Sequence, residues 1–269
     1  MSPLPAHETK HEPLLHYPVL PTPLVVELTQ SDKTQTTTGS TLWLGAQVLA
    51  VYLLELYGAG SKPPRNTKQL RAIDLGAGVG LTANVLAMLG FEVVATDLGV
   101  VVNAVLAGNV RANEERVRAW GSGGIVVREL DWFVAPEEWD WGGEVSIAPP
   151  RGTATTTTTA DCGGISPRFD VVVTADTLYV KELVAPLVRT MKALSVTSKK
   201  GRRCPPVFVA LERRDPEVIE YALGLAKKEG FDCRRIPDAR LTKCLESAGV
   251  KWEKEDWDGV EIWKWTLKV

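Results

Sequence analysis

Histidine is nearly missing from this 269-residue chain: His7, His11 and His16 are the three, and none follows residue 16. Cysteine is as sparse, and Cys162, Cys204, Cys233 and Cys244 contain no Cys-x-x-Cys spacing. These two scarcities argue against a structural zinc site, whose ligands come in close pairs, so no metal is expected. The cysteines read as reduced intracellular thiols. No apolar run approaches the ~18 residues that cross a bilayer, and no membrane association is expected. The N-terminus is rich in proline and histidine and lacks the apolar stretch of a signal peptide. There is no large excess of charge either: the net charge is -2, without the basic footprint of a dedicated nucleic-acid binder. The short basic run Lys199, Lys200, Arg202 and Arg203 reads as solvated charge, with nuclear localisation as its alternative. The expectation is a cytoplasmic protein, with the nucleus as a second location, and a monomer.

What the chain does contain is an ordinary globular share of apolar residues, 45%, arranged in a regular series. Residues 1–23 are proline-rich and aperiodic and read as a flexible arm. A short strand is expected at 24–28, then a polar loop at 31–39. Leu42, Ala46, Leu49, Leu53 and Leu56 recur at helical spacing, with Ser40 or Thr41 as N-cap. After a polar linker at 61–68, strands are expected at 70–75, 91–96, 125–130, 169–174, 206–211, 232–236 and 261–267. Helices are expected between most of them, one opened by Asp215 and Pro216. Alternating strands and helices predict an α/β fold, with a seven-stranded, mostly parallel, Rossmann-like sheet covered by helices on both faces. Residues 24–269 form one domain. A low-complexity insertion at about 142–167, with threonine at every position from 155 to 159, interrupts it.

The chemistry concentrates where strands end. Asp74, Gly76, Ala77, Gly78 and Gly80 make a glycine loop between a strand and a helix. Glycines there permit a tight turn and close backbone approach to a ligand at the helix N-terminus. The spacing is not the dinucleotide pattern Gly-x-Gly-x-x-Gly. An acidic residue two positions before the first glycine is instead the methyltransferase pattern, suited to the ammonium and carboxylate of S-adenosylmethionine. Asp97 ends the second core strand, where a carboxylate accepts from two ribose hydroxyls; a helix N-cap is the alternative, and both roles can coexist. Trp132, after the third strand, can pack on an adenine face, or simply be a rim tryptophan. Asp176 and Tyr179 follow the fourth strand, where a carboxylate and a phenol can hold an amine. The alternative there is an N-cap aspartate beside a packed tyrosine.

The combination resembles the seven-strand protein-lysine methyltransferases of the family-16 (methyltransferase-like 21) group. The likeness covers roughly residues 24–265. It rests on Gly39, Ser40, Thr41, Leu42 and Trp43 opening the leading helix, the glycine loop, Asp97, the triplet Leu130, Asp131 and Trp132, and the acidic-x-x-Tyr motif at Asp176 and Tyr179. The resemblance implies S-adenosyl-L-methionine as cofactor, with Trp43 lining its pocket and Gly76 and Gly78 under the methionine moiety. It further implies Asp97 on the ribose, Trp132 at the adenine and Ala175 touching the cofactor through its backbone. Asp176 and Tyr179 would face the substrate amine. It also implies a protein partner in the translation machinery, such as an elongation factor or ribosomal protein. Two features depart from the family pattern: the threonine-rich insertion, and the pair Arg213 and Arg214 among acidic neighbours. The rival readings are a small-molecule N-methyltransferase and a non-enzymatic binding module. A nucleic-acid base methyltransferase would carry an Asp/Asn-Pro-Pro-aromatic motif where Asp176 to Tyr179 stand.

Overall fold

The computed structural model describes residues 2–31, 38–58, 70–149 and 164–268. The expected linker at 61–68, most of the polar loop at 31–39, the threonine run and Cys162 lie outside the described residues.

A short helix α1 (Ala6–Thr9) and a hairpin of β1 (Leu14–Pro18) and β2 (Val25–Thr29) come first. Residues 2–23, which the sequence presents as an arm, are packed against the body: Ala6, Tyr17 and Val19 are buried in the same core as helix α2 (Leu44–Tyr57). The arm holds on through side-chain amides. Gln47 of α2 accepts from the Ala6 N–H at 2.7 Å and donates to the Leu4 carbonyl at 2.9 Å. These partners are distant in sequence, so no local periodicity announces them.

The main sheet has eight strands in the order β6-β5-β4-β3-β7-β8-β10-β9. They are β3 (Arg71–Leu75), β4 (Glu92–Asp97), β5 (Gly124–Leu130), β6 (Ser146–Ala148), β7 (Val171–Ala175), β8 (Val207–Glu212), β9 (Phe231–Arg235) and β10 (Val260–Leu267). All pairings are parallel except those of β10, which runs antiparallel to β8 and β9. The seven expected strands are present. The eighth, β6, falls inside the segment at 142–167; three residues are too few to show a period of two. Helices α2, α3 (Leu81–Met88), α5 (Ala107–Gly121) and α8 (Asp238–Ala248) share one buried cluster, while α6 (Lys181–Thr197) and α7 (Pro216–Lys228) share the other, across the sheet. Helix α4 (Gly99–Val101) runs into α5 through a π-helical turn at Val102–Leu106. Asp215 caps α7, accepting from the Glu217 and Val218 amides.

Chain order explains where a ligand binds. The chain enters the sheet at β3, builds outward through β4, β5 and β6, then crosses back to lay β7 on the other side of β3. The loops after β3 and β7 therefore diverge and leave a crevice beyond the carboxyl ends of the strands.

Two asparagines one helical turn apart on α5 tie the hairpin to this sheet. Asn113 and Asn109 each pair with one β2 residue, accepting from the Glu27 and Thr29 amides and donating back to the same residues' carbonyls. Asn109 also donates to the Val79 carbonyl at 3.0 Å, which links the hairpin to the glycine loop. Asn109→Ala strands these partners, each costing ~1–3 kcal/mol when buried. The expected loss of stability is about 2–4 kcal/mol, read from the chemical-denaturation midpoint; a change within error would show that the hairpin docks by other contacts.

Candidate functional site

A cavity of about 280 Å³ opens at the crevice between the β3 and β7 loops. The residues expected from sequence to hold the cofactor or the amine all line it: Trp43, Asp74, Gly76, Ala77, Gly78, Asp97, Trp132, Ala175, Asp176 and Tyr179.

The glycine loop forms one wall. Gly76 and Gly78 have φ of +68° and +55°, a region that penalises any Cβ. Space enforces the same choice. A Cβ at Gly76 would stand 2.8 Å from Thr177 Cγ2 and 3.2 Å from the Trp132 ring, and one at Gly78 would stand 3.0 Å from the Gly39 carbonyl oxygen. The loop is held against the end of β4, because Asp97 accepts from the Gly78 N–H at 2.9 Å and from the Leu98 N–H at 2.8 Å. Leu98 and not Asp97 occupies the N-cap position of the following helix, without a side-chain cap; each Asp97 oxygen fixes a backbone amide and retains a lone pair for a ligand hydroxyl. Asp74 sits behind the loop. One of its carboxylate oxygens, Oδ2, is buried without a hydrogen-bond partner.

The opposite wall is the loop after β7. Thr174 Oγ1 donates to the Leu75 carbonyl at 2.7 Å and lies 2.7 Å from Thr177 Oγ1, which fixes β7 to β3 at their carboxyl ends. Asp176 then takes a left-handed conformation, φ +56°, sparsely populated by residues other than glycine, although aspartate is among those that tolerate it. Strain of this kind concentrates at functional sites. The side chain turns to the N-terminus of α2, where Oδ2 accepts from the Ala46 N–H at 3.1 Å. Asp176 is thus a helix cap, but of a helix 130 residues earlier and not of its own. The local expectation of Ser40 or Thr41 as cap is corrected: Trp43 occupies the N-cap position and offers no side-chain acceptor. Gly45 leaves room for this contact, since a Cβ there would fall 2.5 Å from Asp176 Oδ1. Tyr179 is 47% exposed at the rim.

Burial raises the proton affinity of all three acids. The Asp74 carboxyl is pushed up to about 8 by burial and then by the charge of Asp97. Asp97 is pushed up to about 6 by burial, against the pull of the Gly78 and Leu98 amides. Asp176 is pushed up to about 7 by burial, with the Ala46 amide acting against it. A group whose folded pKa exceeds its unfolded one stabilises fully below the unfolded value and loses that stabilisation as pH rises through the folded one. The free protein should therefore lose thermal stability as pH climbs from about 4 to about 8, Asp97 contributing up to about 6, Asp176 up to about 7 and Asp74 up to about 8. Asp74→Asn should remove the upper part of that loss. A melting temperature flat across this window in the parent protein would contradict the burial of the Asp74 carboxyl.

Sequence reasoning left several lining and flanking residues unmarked. Thr177 lies under Gly76, and Leu98 and Val101 give the cavity an apolar side beyond Asp97. Asp131, already part of the triplet that carries the resemblance, lines the cavity and accepts from the Phe133 N–H, shaping the turn that carries Trp132. The ambiguous arginine pair separates cleanly. Arg213 points to the sheet, bonding Glu261 at 2.9 Å and Glu220 at 3.2 Å, while Arg214 pairs with Glu212 and lies over the Trp43 ring, 4.7 Å from its centroid. Alternation at the end of a strand was the available signal.

The arrangement offers two kinds of binding in one cavity. The buried Asp74 and half-buried Asp97 carboxylates at the β3–β4 end suit a ligand that carries both cation and hydroxyls. A carboxylate, a phenol and an indole at the β7 end suit an amine arriving from solvent.

Residues 25–140 match the family described as lysine methyltransferase. The human protein-lysine N-methyltransferase EEF2KMT is 26% identical over 226 residues, which is 81% of this chain and 53% of that protein. Mouse methyltransferase-like protein 22 is 34% identical over 98 residues, 35% of this chain and 22% of that protein. The chain spans about half the length of the first of these relatives and less of the second. Among solved structures, the glycopeptide N-methyltransferase MtfA complexed with sinefungin matches with a TM-score of 0.45 at 13% identity, covering 84% of this chain and 87% of that one.

Proposed function

We propose that the chain transfers a methyl group from S-adenosyl-L-methionine to a lysine side chain of a protein, a reading supported by the match of residues 25–140 to the family described as lysine methyltransferase. The observation that carries this reading is the single cavity with Asp97 and the glycine loop at one end and Asp176 and Tyr179 at the other. The residues fit the cofactor. The orphaned Asp74 Oδ2 answers its ammonium, the glycine loop lets the backbone approach its methionine moiety, Asp97 answers the ribose hydroxyls, and Trp43, Trp132 and Ala175 supply apolar and backbone contact. When bound, the cofactor supplies an electrophilic methyl carbon on a sulfonium sulfur.

The chain's own part is capture and alignment. An attacking amine must be neutral, and deprotonating an ordinary lysine near neutral pH costs roughly 4 kcal/mol. Asp176 does not reduce that cost while ionised, because a carboxylate favours the ammonium. It holds the incoming nitrogen, with Tyr179 at the rim, and its own position is fixed by the amide at the start of α2. Alignment of this kind lowers barriers by as much as ~7–11 kcal/mol. The proton leaves to water.

The acceptor is a lysine on a component of the translation machinery, an elongation factor or ribosomal protein. This rests on the family resemblance of the Asp176–Tyr179 motif. The test uses methyl-labelled cofactor and a lysate lacking the native enzyme, separated by size after incubation. Label in one protein band is expected. Label confined to the small-molecule fraction would replace this reading with the small-molecule N-methyltransferase.

A further inference from the structure

A lysine of the chain itself stands against an indole that lines the cavity. Lys10 follows α1, and its Nζ lies 4.0 Å from the centroid of the Trp43 ring, a cation–π distance. Trp43 lines the cavity together with Asp176 and Tyr179. Lys10 is half-buried there, and three charged groups act on it: Arg214, which shares the Trp43 ring, and Glu212 and Asp176.

The placement is built. Glu12 N–H donates to the Thr9 carbonyl, which closes the turn carrying Lys10. The buried Gln30 then grips both ends of that turn through one amide, donating from Nε2 to the Thr9 carbonyl at 2.8 Å and to the Glu12 carbonyl at 2.9 Å. Its Oε1 accepts from the Leu42 N–H at 2.7 Å, one residue before Trp43. A single side chain therefore clamps the Lys10 turn to the segment that carries the cavity's indole.

We propose that Lys10 is an intramolecular methyl acceptor of this enzyme, a modification site presented to its own cavity by the Gln30 clamp. The inference rests on the methyltransferase reading above. After Nζ loses a proton to water, its lone pair forms the N–C bond to the methyl carbon. The carbon–sulfur bond breaks as its electron pair stays on sulfur, so sulfonium plus amine give thioether plus methylammonium. The surroundings assist the first step: burial, and then Arg214, lower the Lys10 pKa, with Glu212 and Asp176 opposing them. Methylation preserves the positive charge, so the modified side chain keeps its attraction to the Trp43 face.

The test is peptide mass spectrometry on the full chain incubated with methyl-labelled cofactor, alongside a lysate reaction and calorimetric titration of the cofactor. Lys10 should gain one or more methyl groups, with a rate constant unchanged over a tenfold range of enzyme concentration. Lys10→Arg should carry no label on that peptide while still binding the cofactor. A readout without turnover is the reaction of the apo chain with a trace amine-acylating reagent at pH 8. Lys10 should react several-fold faster than exposed lysines such as Lys251, and Gln30→Ala should abolish the difference. If lysate protein is labelled and Lys10 is not, or if Lys10 labelling scales with enzyme concentration, the intramolecular acceptor is overturned and the proposed function stands. If no cofactor heat appears and nothing is labelled, the proposed function falls, and this inference with it.

Discussion

Asp176→Asn should lower methyl transfer to the protein acceptor by at least about 100-fold, equivalent to about 2.7 kcal/mol of transition-state stabilisation, while cofactor affinity changes by no more than a few-fold. Asparagine is the informative substitution because Asp176 does two things. It lines the cavity at the end of β7, where the proposed amine would enter, and it caps α2 through the Ala46 amide. Asparagine retains an acceptor for that amide and tolerates the left-handed backbone at φ +56°. Asp176→Ala removes both and should cost about 1–2 kcal/mol of stability in addition, so its loss of activity would mix two causes. A fully active Asp176→Asn enzyme would remove this residue from amine capture and leave it as a cap alone.

The second large effect is expected at the other end of the cavity. Asp97→Ala should weaken S-adenosyl-L-methionine binding by at least about 100-fold, since hydrogen bonds to a charged group contribute ~1.5–3 kcal/mol each and two face the ribose in this reading. It also strips acceptors from the Gly78 and Leu98 amides, loosening the loop that shapes the site. Titration calorimetry measures the affinity, and circular dichroism checks that the sheet persists. Unchanged affinity in a folded Asp97→Ala protein would mean that the ligand enters in another orientation. Gly78→Ala is the independent check on the same wall. Its Cβ would meet the Gly39 carbonyl at 3.0 Å in a backbone region that disfavours alanine.

Features confined to one strand–loop–helix unit were readable from the sequence. The glycine loop, Asp97 at the end of β4 and Asp176 after β7 could be placed because strand periodicity locates carboxyl ends, and carboxyl ends are where an open α/β sheet binds ligands. What could not be read depends on pairs remote in the chain. The cap that Asp176 provides for α2 follows from β7 lying beside β3, a consequence of topology. The same holds for Asn109 and Asn113 against β2, and for Gln47 and Gln30 against the N-terminal segment. Helix α8 is different, because its signal was present: Leu241, Cys244, Leu245 and Ala248 recur at helical spacing and are all buried. It falls between two strands that end in an antiparallel pair, where the alternating pattern gives no reason to look for a helix.

The most direct test of the central claim is to hydrolyse the protein labelled by this enzyme and methyl-labelled cofactor to amino acids. The account predicts that the label co-migrates with an Nε-methylated lysine and disappears with Asp176→Asn. Label on methylarginine or methylhistidine, or an undiminished yield of methyllysine from Asp176→Asn, would contradict it.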